Sequence, residues 1–365
     1  MLFRRFCNIC GKYRRLYATS GTALKTKKGI VYSSVSQDVY ANLAFEDWAY
    51  EKMNFEDVYL LFLWRNSPCV VIGRHQNPWV ECNIPKLQEN NVRLARRKSG
   101  GGTVYHDLGN INITFFTPRK KYDRHLNLEL IMRALKSHWP EVDVSLSPRD
   151  DLMLNKDYKI SGSAAKLGRS NAYHHCTLLF NVDASTLSEM LHSQTDGIDS
   201  KATESVRSKV MNLSQVDPSI SYESLSQAIS EEFYELYPAS HDRKIYEFCP
   251  TDEEHYSGIT QLRSQLMQWK WLYGSTPKFS VSRDFGSVSV CLHTKNGHVE
   301  DVTITGEMEW LTGDVVEKIG HSVKGIRYWH NDLVRALSHL KSTQSGSEHL
   351  HSFIDGICDM TGDHH

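Results

Sequence analysis

The feature of this chain best suited to binding an anion is a basic pair followed closely by three glycines. Residues 95–110 read Ala-Arg-Arg-Lys-Ser-Gly-Gly-Gly-Thr-Val-Tyr-His-Asp-Leu-Gly-Asn. Successive glycines allow unusual backbone torsions and let a ligand approach the backbone N–H groups closely. The basic residues favour an anionic ligand. The run matches neither a P-loop nor a Rossmann turn, so a loose hairpin between two apolar strands stays open as an alternative.

A second feature is a lysine placed directly before a run of small residues. Lys159 precedes Ile-Ser-Gly-Ser-Ala, and the preceding Arg149-Asp150-Asp151 segment with a turn at residues 155–157 predicts a hairpin. Such a lysine can lay its ammonium along a groove and stabilise negative charge on a carboxylate, a phosphate or an acyl oxygen. A solvated lysine at the end of a strand is the alternative.

A third feature is an apolar strand that carries two adjacent histidines, within residues 173–181. Successive side chains of a strand face opposite sides, so His174 and His175 are poorly placed to chelate one metal, and zinc is disfavoured. His175 and Thr177 share a face that can line a pocket. A thiol on such a strand could hold an acyl group covalently as a thioester, so Cys176 is a candidate nucleophile, although buried cysteines are usually inert.

In this order and at these separations, the motifs resemble the lipoate-protein ligase A family, which includes mitochondrial lipoyltransferases. The resemblance covers most of residues 30–280. It rests on Asn42-Leu-Ala-x-Glu46, the segment from Gly73 to Trp79, Arg96 to Asp107, Asp151-Leu152, Lys159 to Ser163, His174 to Leu179, Ser205 to Ser208, and Trp269 to Phe279. It implies an α+β fold of the biotin- and lipoate-protein ligase type, with mixed β-sheets and flanking helices, followed by a small α+β accessory domain.

The resemblance also implies a reaction, which is acyl transfer to a protein lysine. A lipoyl group would move from lipoyl-adenylate, or from a lipoylated carrier protein, to lipoyl domains of 2-oxoacid dehydrogenase E2 subunits and to the glycine cleavage H protein. Lys159 would be the catalytic residue, polarising the acyl carbonyl and neutralising the phosphate. The residues expected to bind lipoyl-adenylate are Arg97, Ser99, Gly100, Gly101, Gly102, Thr103, Val104, Tyr105, His106, Arg149, Asp151, Gly162, Ser163, Lys166, His175, Thr177, Thr203 and Val206.

One departure from the family pattern bears on the reaction. After Ser163-Ala164, bacterial ligases often carry an aromatic residue and then an arginine, whereas this chain has Ala165 and Lys166. A lysine keeps the charge but lacks the planar fork that grips phosphate. We therefore expect a transferase that receives an already activated or carried lipoyl group, with no metal and no tightly bound cofactor. A complete ligase using ATP and Mg is one alternative, and a catalytically silent binder of lipoyl-adenylate or lipoyl domains is another.

The charge distribution predicts where the protein works. Lys and Arg total 42 against 43 Asp and Glu, yet residues 1–28 hold eight basic residues and the first acidic residue is Asp38. This leader predicts a mitochondrial transit peptide and a matrix location, with a basic tail that binds nucleic acid as the alternative. Elsewhere nucleic-acid binding is not expected, because the cluster of Arg119, Lys120 and Lys121 lacks interleaved aromatic residues. That cluster is interpreted as a solvated loop or a contact for an acidic acceptor domain.

The cysteines and the apolar pattern complete the expected organisation. The eight cysteines are scattered, Cys7 and Cys10 lie in the leader, and no disulfide framework is expected in a reducing matrix. No apolar run is long enough to span a membrane. We expect a transit peptide at residues 1–28, a catalytic domain at 29–250 and an accessory domain at 251–365. We also expect a monomer, because one chain supplies every catalytic element.

Periodicity then places the elements that must position the motifs. It predicts helices at 38–53, 127–137, 222–236, 314–323 and 331–340. It predicts that strands 59–64 and 69–73 pair with each other across residues 65–68, and that strands 92–97, 103–106 and 111–117 build the sheet around the glycine loop. Strands at 280–290 and 299–305 would form a hairpin at the Lys295-Asn296-Gly297 turn. Residues 342–365 are weakly patterned, and we expect disorder at their end.

Overall fold

The computed structural model describes residues 28–193, 195–239, 242–343 and 348–362. Residues 1–27, with the leader, Cys7 and Cys10, lie outside them. The helices are α1 (Val39–Lys52), α2 (Pro78–Glu81), α3 (Ile84–Glu89), α4 (Arg124–His138), α5 (Ala184–Met190), α6 (Tyr222–Leu236), α7 (Ile259–Met267), α8 (Trp269–Leu272), α9 (Gly313–Val323), α10 (His330–Thr343) and α11 (Glu348–Cys358). Each of the five predicted helices is present.

The strands form four sheets. They are β1 (Lys28–Ser34), β2 (Val58–Trp64), β3 (Cys69–Ile72), β4 (Arg93–Arg96), β5 (Val104–His106), β6 (Asn110–Pro118), β7 (Val144–Leu146), β8 (Leu152–Leu154), β9 (Tyr158–Lys159), β10 (Ser163–Leu167), β11 (Asn171–Leu179), β12 (Ile198–Ser200), β13 (Ile245–Phe248), β14 (Phe279–Phe285), β15 (Val288–Lys295) and β16 (His298–Thr305). The sheet orders are β10-β11-β6-β2-β1-β13, β12-β14-β15-β16, β4-β3-β5 and β7-β8-β9. The predicted α+β class is confirmed.

Helix α1 illustrates how local sequence sets an element that reaches the site. It begins after Asp38, whose carboxylate accepts a hydrogen bond from the Tyr40 N–H group at 2.9 Å and so caps the first turn. Leu43, Ala44 and Phe45 are all buried, because the helix packs against α7 as well as the large sheet. This double burial brings the polar side chains of the helix, including Glu46, into the interior.

The predicted pairing of strands 59–64 and 69–73 is wrong. Both strands exist, but β2 pairs with β1 and β6 in the six-stranded sheet, whereas β3 pairs with β4 and β5 in a separate sheet. The sheet predicted for strands 92–97, 103–106 and 111–117 is therefore also wrong, because β6 does not share a sheet with β4 and β5. The link between them crosses from one sheet to the other, and the side chain of Asn66 within it is buried against Asn42 and His106. The sequence analysis also missed β1, which lies between β2 and β13.

The C-terminal part is more ordered than expected. The predicted hairpin at Lys295-Asn296-Gly297 is present, with Asn296 and Gly297 at φ values of 53° and 70°. The single strand predicted at 280–290 is instead two strands, because the chain turns at Gly286, where φ is 70°. Residues 342–365, predicted to be weakly patterned with disorder at their end, contain α11, where Leu350, Phe353, Ile354 and Ile357 are buried at helical spacing. Residues 363–365 lie outside the described part.

The apolar cores do not stop at residue 250. One buried cluster joins Val70, Trp79 and Leu94 to Val281, Leu292 and Leu337, and β12 pairs with β14. The proposed boundary near residue 250 stays a prediction. Among the described residues, no helix has the length and apolar character needed to cross a bilayer.

Candidate active site

A cavity of about 780 Å³ opens between the β4-β3-β5 sheet, the six-stranded sheet and the segment that follows β12. This volume is in the range of sites for small organic ligands. Its apolar lining includes Leu43, Trp64, Val71, Val104, Tyr105, Leu179, Leu187 and Leu191, and its polar lining includes Arg97, His106, Asn112, Lys159, Ser163, His175, Thr177, Thr203, Glu204 and Ser205. The cavity therefore has room for an apolar chain next to groups that can bind a polar or anionic one.

The glycine loop at residues 99–102 forms one wall and is shaped from beneath by Arg97. The buried guanidinium donates to the carbonyl oxygens of Val71 at 2.9 Å, Gly100 at 2.7 Å and Gly102 at 2.6 Å, and to the Ser99 hydroxyl at 3.0 Å. Burial lowers the pKa of Arg97 to about 10, so it stays charged at neutral pH. Most N–H groups of the guanidinium therefore donate to the loop and are not available to a ligand.

One glycine of the loop is required by the backbone itself. Gly101 has a φ of 83°, a left-handed value that side chains disfavour, and a Cβ at this position would lie 3.1 Å from Arg97 Nη2. A Cβ on Gly100 would meet nothing within 4 Å. The loop is therefore a specific turn over a buried cation, and the loose-hairpin alternative does not describe it.

A buried chain of hydrogen bonds joins the loop to α1. The Ser99 hydroxyl lies 2.8 Å from His175 Nε2, and His175 Nδ1 lies 2.8 Å from Glu46 Oε1, which also accepts from the Thr114 hydroxyl at 2.8 Å. Sequence analysis placed Ser99 and His175 in the site and quoted Glu46 only as part of a motif. Ser99 is buried at the start of the loop, whereas His175 lines the cavity.

Lys159 lies at the end of the short hairpin formed by β8 and β9. Its Nζ is 2.8 Å from the Asp151 carboxylate, and both side chains are partly exposed. Its backbone N–H donates to the Lys209 carbonyl oxygen at 2.8 Å. Beyond it, the Gly162 N–H donates to the Thr177 hydroxyl at 2.9 Å, and the Thr177 N–H to the Gly162 carbonyl oxygen at 2.9 Å. Lys159 therefore lines the cavity from a well-fixed backbone.

Residues 203–210, which we name the rim strip, have no regular secondary structure and border the cavity next to the glycine loop. The strip is held down through Ser205. The Ser205 hydroxyl accepts from the Thr103 N–H at 2.8 Å and from Gln76 Nε2 at 3.0 Å, and donates to Glu81, which also accepts from the Ser205 N–H at 3.0 Å. Gln76 lies in the quoted Gly73 to Trp79 motif and Glu81 follows it, but the sequence analysis assigned no role to either residue.

Five of the expected site residues do not line the cavity, and three of them lie outside the glycine loop. Arg149 is exposed before β8 and does not line the cavity. Lys166 also lies away from it, with Nζ 3.4 Å from the buried Asp47 carboxylate and 4.1 Å from the ring centre of Tyr50. Asp151 reaches the site through Lys159 and is not itself part of the lining. The other expected residues line the cavity, except Ser99 and Gly100 of the glycine loop.

Burial sets the protonation of several groups in or near the cavity. It lowers the pKa of His106 and of His174 to about 3, so both imidazoles are neutral near pH 7. It raises the pKa of Cys176 to about 12, which keeps this thiol protonated. Within the described ranges, no three His, Cys, Asp or Glu side chains are grouped to hold a metal ion.

Comparison with known proteins places this site in a family. The family model for the lipoyl protein ligase A/B catalytic domain matches residues 38–234, which contain the glycine loop, Lys159 and the rim strip. This protein belongs to that family. The resemblance drawn from the sequence motifs is thereby confirmed.

Relatives within the lipoyl protein ligase A/B family match over nearly the whole chain. Lipoyl amidotransferase LIPT1, mitochondrial, of Homo sapiens is 43% identical over 350 residues, covering 93% of this chain and 93% of the relative. The Mus musculus protein of the same name is 44% identical over 341 residues, covering 91% and 90%. Among solved structures, LipL1 of P. falciparum in complex with lipoate has a TM-score of 0.58 and 26% identity, covering 91% of this chain and 98% of that one.

Proposed function

We propose that this protein is a lipoyltransferase, an acyltransferase that forms an amide on a specific lysine of lipoyl domains. The observation that carries the proposal is that Lys159 lines the same cavity as the glycine loop, in a chain that resembles lipoyl amidotransferases along almost its full length. The acceptors would be the lipoyl domains of 2-oxoacid dehydrogenase E2 subunits and the glycine cleavage H protein. The protein would act as a monomer.

In the proposed reaction the apolar lining holds the lipoyl chain, and Lys159 stabilises the negative charge that develops on the acyl oxygen as the acceptor amine attacks. Asp151 orients that ammonium, and the Arg97-supported loop fixes the carbonyl for attack. The attack breaks the bond from the acyl carbon to the leaving group and forms the new amide. The acceptor amine loses the proton that the leaving group or solvent takes up.

The donor is either lipoyl-adenylate or a lipoyl group carried on another protein. The relatives are named amidotransferases, which favours a lysine amide as donor, since exchange of one lysine amide for another makes and breaks the same kind of bond and needs no ATP. The complete ligase fits less well, because Lys166 is held by Asp47 and Tyr50 away from the cavity. We therefore propose no tightly bound cofactor, with ATP and Mg needed only for a complete ligase.

The thioester hypothesis and the silent-binder hypothesis are both less well supported. A protonated, buried Cys176 is a poor nucleophile. Lys159 is in place with its carboxylate partner, which a silent binder would not need.

The relatives are mitochondrial proteins, which supports a mitochondrial location for this chain. The matrix as its compartment, and a transit peptide at residues 1–28, are our proposals, supported by the basic leader.

The test is mass-spectrometric detection of lipoyl attached to an apo lipoyl domain, with three donors in parallel. These are synthetic lipoyl-adenylate, a lipoylated carrier protein, and free lipoate with ATP and magnesium. Product from either of the first two alone would establish a transferase, and the active donor would identify the physiological chemistry. Product from all three would indicate the complete ligase. Absence of product in every arm would refute the transferase and leave the silent binder.

A further inference from the structure

The rim strip is irregular in backbone conformation but fixed at both ends. Ser205 holds one end through Glu81, Gln76 and the Thr103 N–H group. At the other end the Lys209 carbonyl oxygen accepts from the Lys159 N–H at 2.8 Å, and Val210 forms a parallel bridge with Lys159. The strip is therefore positioned by backbone and Ser205 contacts, and the side chains of residues 206–209 are not needed to hold it in place.

Apolar side chains are exposed along this fixed strip and on the hairpin beside it. Val206 is 72% exposed, while Val210 and Tyr158 are each 36% exposed. The backbones of Val210 and Tyr158 are adjacent, because Val210 bridges the residue that follows Tyr158, and Val206 and Val210 also border the cavity. Large apolar groups held in solvent on a rigid backbone indicate a surface that another molecule covers.

The same surface carries unpaired positive charge. Lys156 and Lys209 are exposed and form no ion pair with any residue in the described part of the chain. Neither of them lines the cavity. Outside the cavity lining, Asp157 follows Lys156 in the chain, and the carbonyl oxygen of the exposed Asp143 accepts from the Asn155 N–H at 2.9 Å. The outer surface beside Lys159 thus combines exposed apolar groups with two lysines whose ammonium groups form no ion pair within the described residues.

We propose that Lys156, Tyr158, Val206, Lys209 and Val210 form the docking surface for the acceptor domain, and that this domain presents carboxylates beside its target lysine. The proposal rests on the proposed function and adds the partner surface to it. A lysine that reaches the acyl carbon next to Lys159 must bring its own domain over the rim strip and the β8–β9 hairpin. Complementary charge would then raise the association rate and select acidic partners over others.

A second basic cluster offers a rival location on the same molecule. Arg119, Lys120 and Lys121 form an exposed 3-10 turn after β6, and none of them lines the cavity. The sequence alone allowed this cluster to contact an acidic acceptor. It provides a matched control, since both surfaces can be reversed in charge by two lysine substitutions.

The experiment compares the full-length protein with two double variants, K156E with K209E and K120E with K121E. Lipoyl transfer is measured with the donor found active above, to an apo lipoyl domain and to N-acetyl-lysine amide as a small acceptor. For the K156E and K209E pair we expect KM for the domain to rise roughly tenfold, from lost attraction and new repulsion at two exposed sites. We expect kcat and small-acceptor transfer to stay unchanged. Added salt should raise the wild-type KM more steeply than that of this variant.

The outcomes distinguish a failure of the docking surface from a failure of the proposed transferase function. An unchanged KM for the domain, or an equal loss with the small acceptor, would overturn the docking surface while leaving the transferase intact. A rise in KM for the K120E and K121E pair alone would move the docking site to the rival cluster. No transfer by the wild-type protein to either acceptor would overturn the proposed function, and the docking proposal with it.

Discussion

Replacing Lys159 by alanine should remove transfer and leave the fold nearly unchanged. Lys159 lines the cavity at the end of the β8–β9 hairpin, and its ammonium lies 2.8 Å from the Asp151 carboxylate. The variant keeps the backbone N–H bond to the Lys209 carbonyl oxygen, since alanine has the same donor. The substitution therefore removes the charge from the cavity without releasing the hairpin from the rim strip.

The expected magnitudes follow from the placement of this pair. Loss of one preorganised group that stabilises developing negative charge lowers turnover by roughly 100- to 1000-fold. The side chains of Lys159 and Asp151 are 24% and 20% exposed, so their ion pair is partly screened and its loss should change the free energy of unfolding by about 1 kcal/mol or less. That corresponds to a shift in Tm of roughly 3 °C at most.

The assay is single-turnover lipoyl transfer to an apo lipoyl domain, with thermal unfolding measured on the same preparations. Asp151→Ala, which frees the ammonium without removing it, should cost less than Lys159→Ala. The double variant should be no slower than Lys159→Ala alone, because Asp151 acts through Lys159. Lys136→Ala, an exposed lysine on α4, is the control and should change nothing. Turnover by Lys159→Ala within about threefold of wild type would refute the reasoning.

Three further predictions concern the loop, the thiol and a buried carboxyl. Gly101→Ala should cost about 1–2 kcal/mol in unfolding free energy, because its φ is 83°, whereas Gly100→Ala, measured beside it by chemical denaturation, should be nearly neutral since its Cβ meets nothing within 4 Å. Cys176→Ala should keep most of the transfer activity, and loss of transfer with an intact fold would instead support a thioester. Burial raises the pKa of Asp47 to about 6, so the folded state holds this proton more tightly than the unfolded state. Its contribution to stability is present below about pH 4 and is lost as the pH rises through about 6. The wild type should therefore lose up to about 3 kcal/mol relative to Asp47→Asn between those pH values in parallel denaturation series, and an unchanged difference would contradict the raised pKa.

Some features of the site could be predicted because they depend on residues that are close together in the sequence. The triple glycine predicted unusual backbone torsions, and Gly101 has one. The hairpin that ends at Lys159 was predicted from its turn residues. Helix α6 at Tyr222–Leu236 has the bounds that its periodicity predicted. In each case the deciding interactions lie within a few residues of each other.

Features set by distant contacts could not be predicted. The hydrogen bond between His175 and Glu46 joins residues 129 apart in the chain, and the sequence around either residue does not predict the pairing. Lys166 has the charge expected of a phosphate contact, but the buried Asp47 of α1 determines where its ammonium lies. The strands β2 and β3 are apolar on both faces, so their pattern fits pairing in one sheet as well as in two.

The buried guanidinium of Arg96 determines when this active site can form as the chain folds. It donates to the carbonyl oxygens of Arg74 at 3.1 Å and Gln76 at 2.8 Å, and also to the Leu272 carbonyl oxygen, a residue 176 positions further along the chain. Until residues 272–276 arrive, this charge lacks partners that burial requires. Such long-range closure is slow. We therefore expect the glycine loop beside Arg96 to be completed late in folding, and a chain shortened before residue 272 to hold no assembled site.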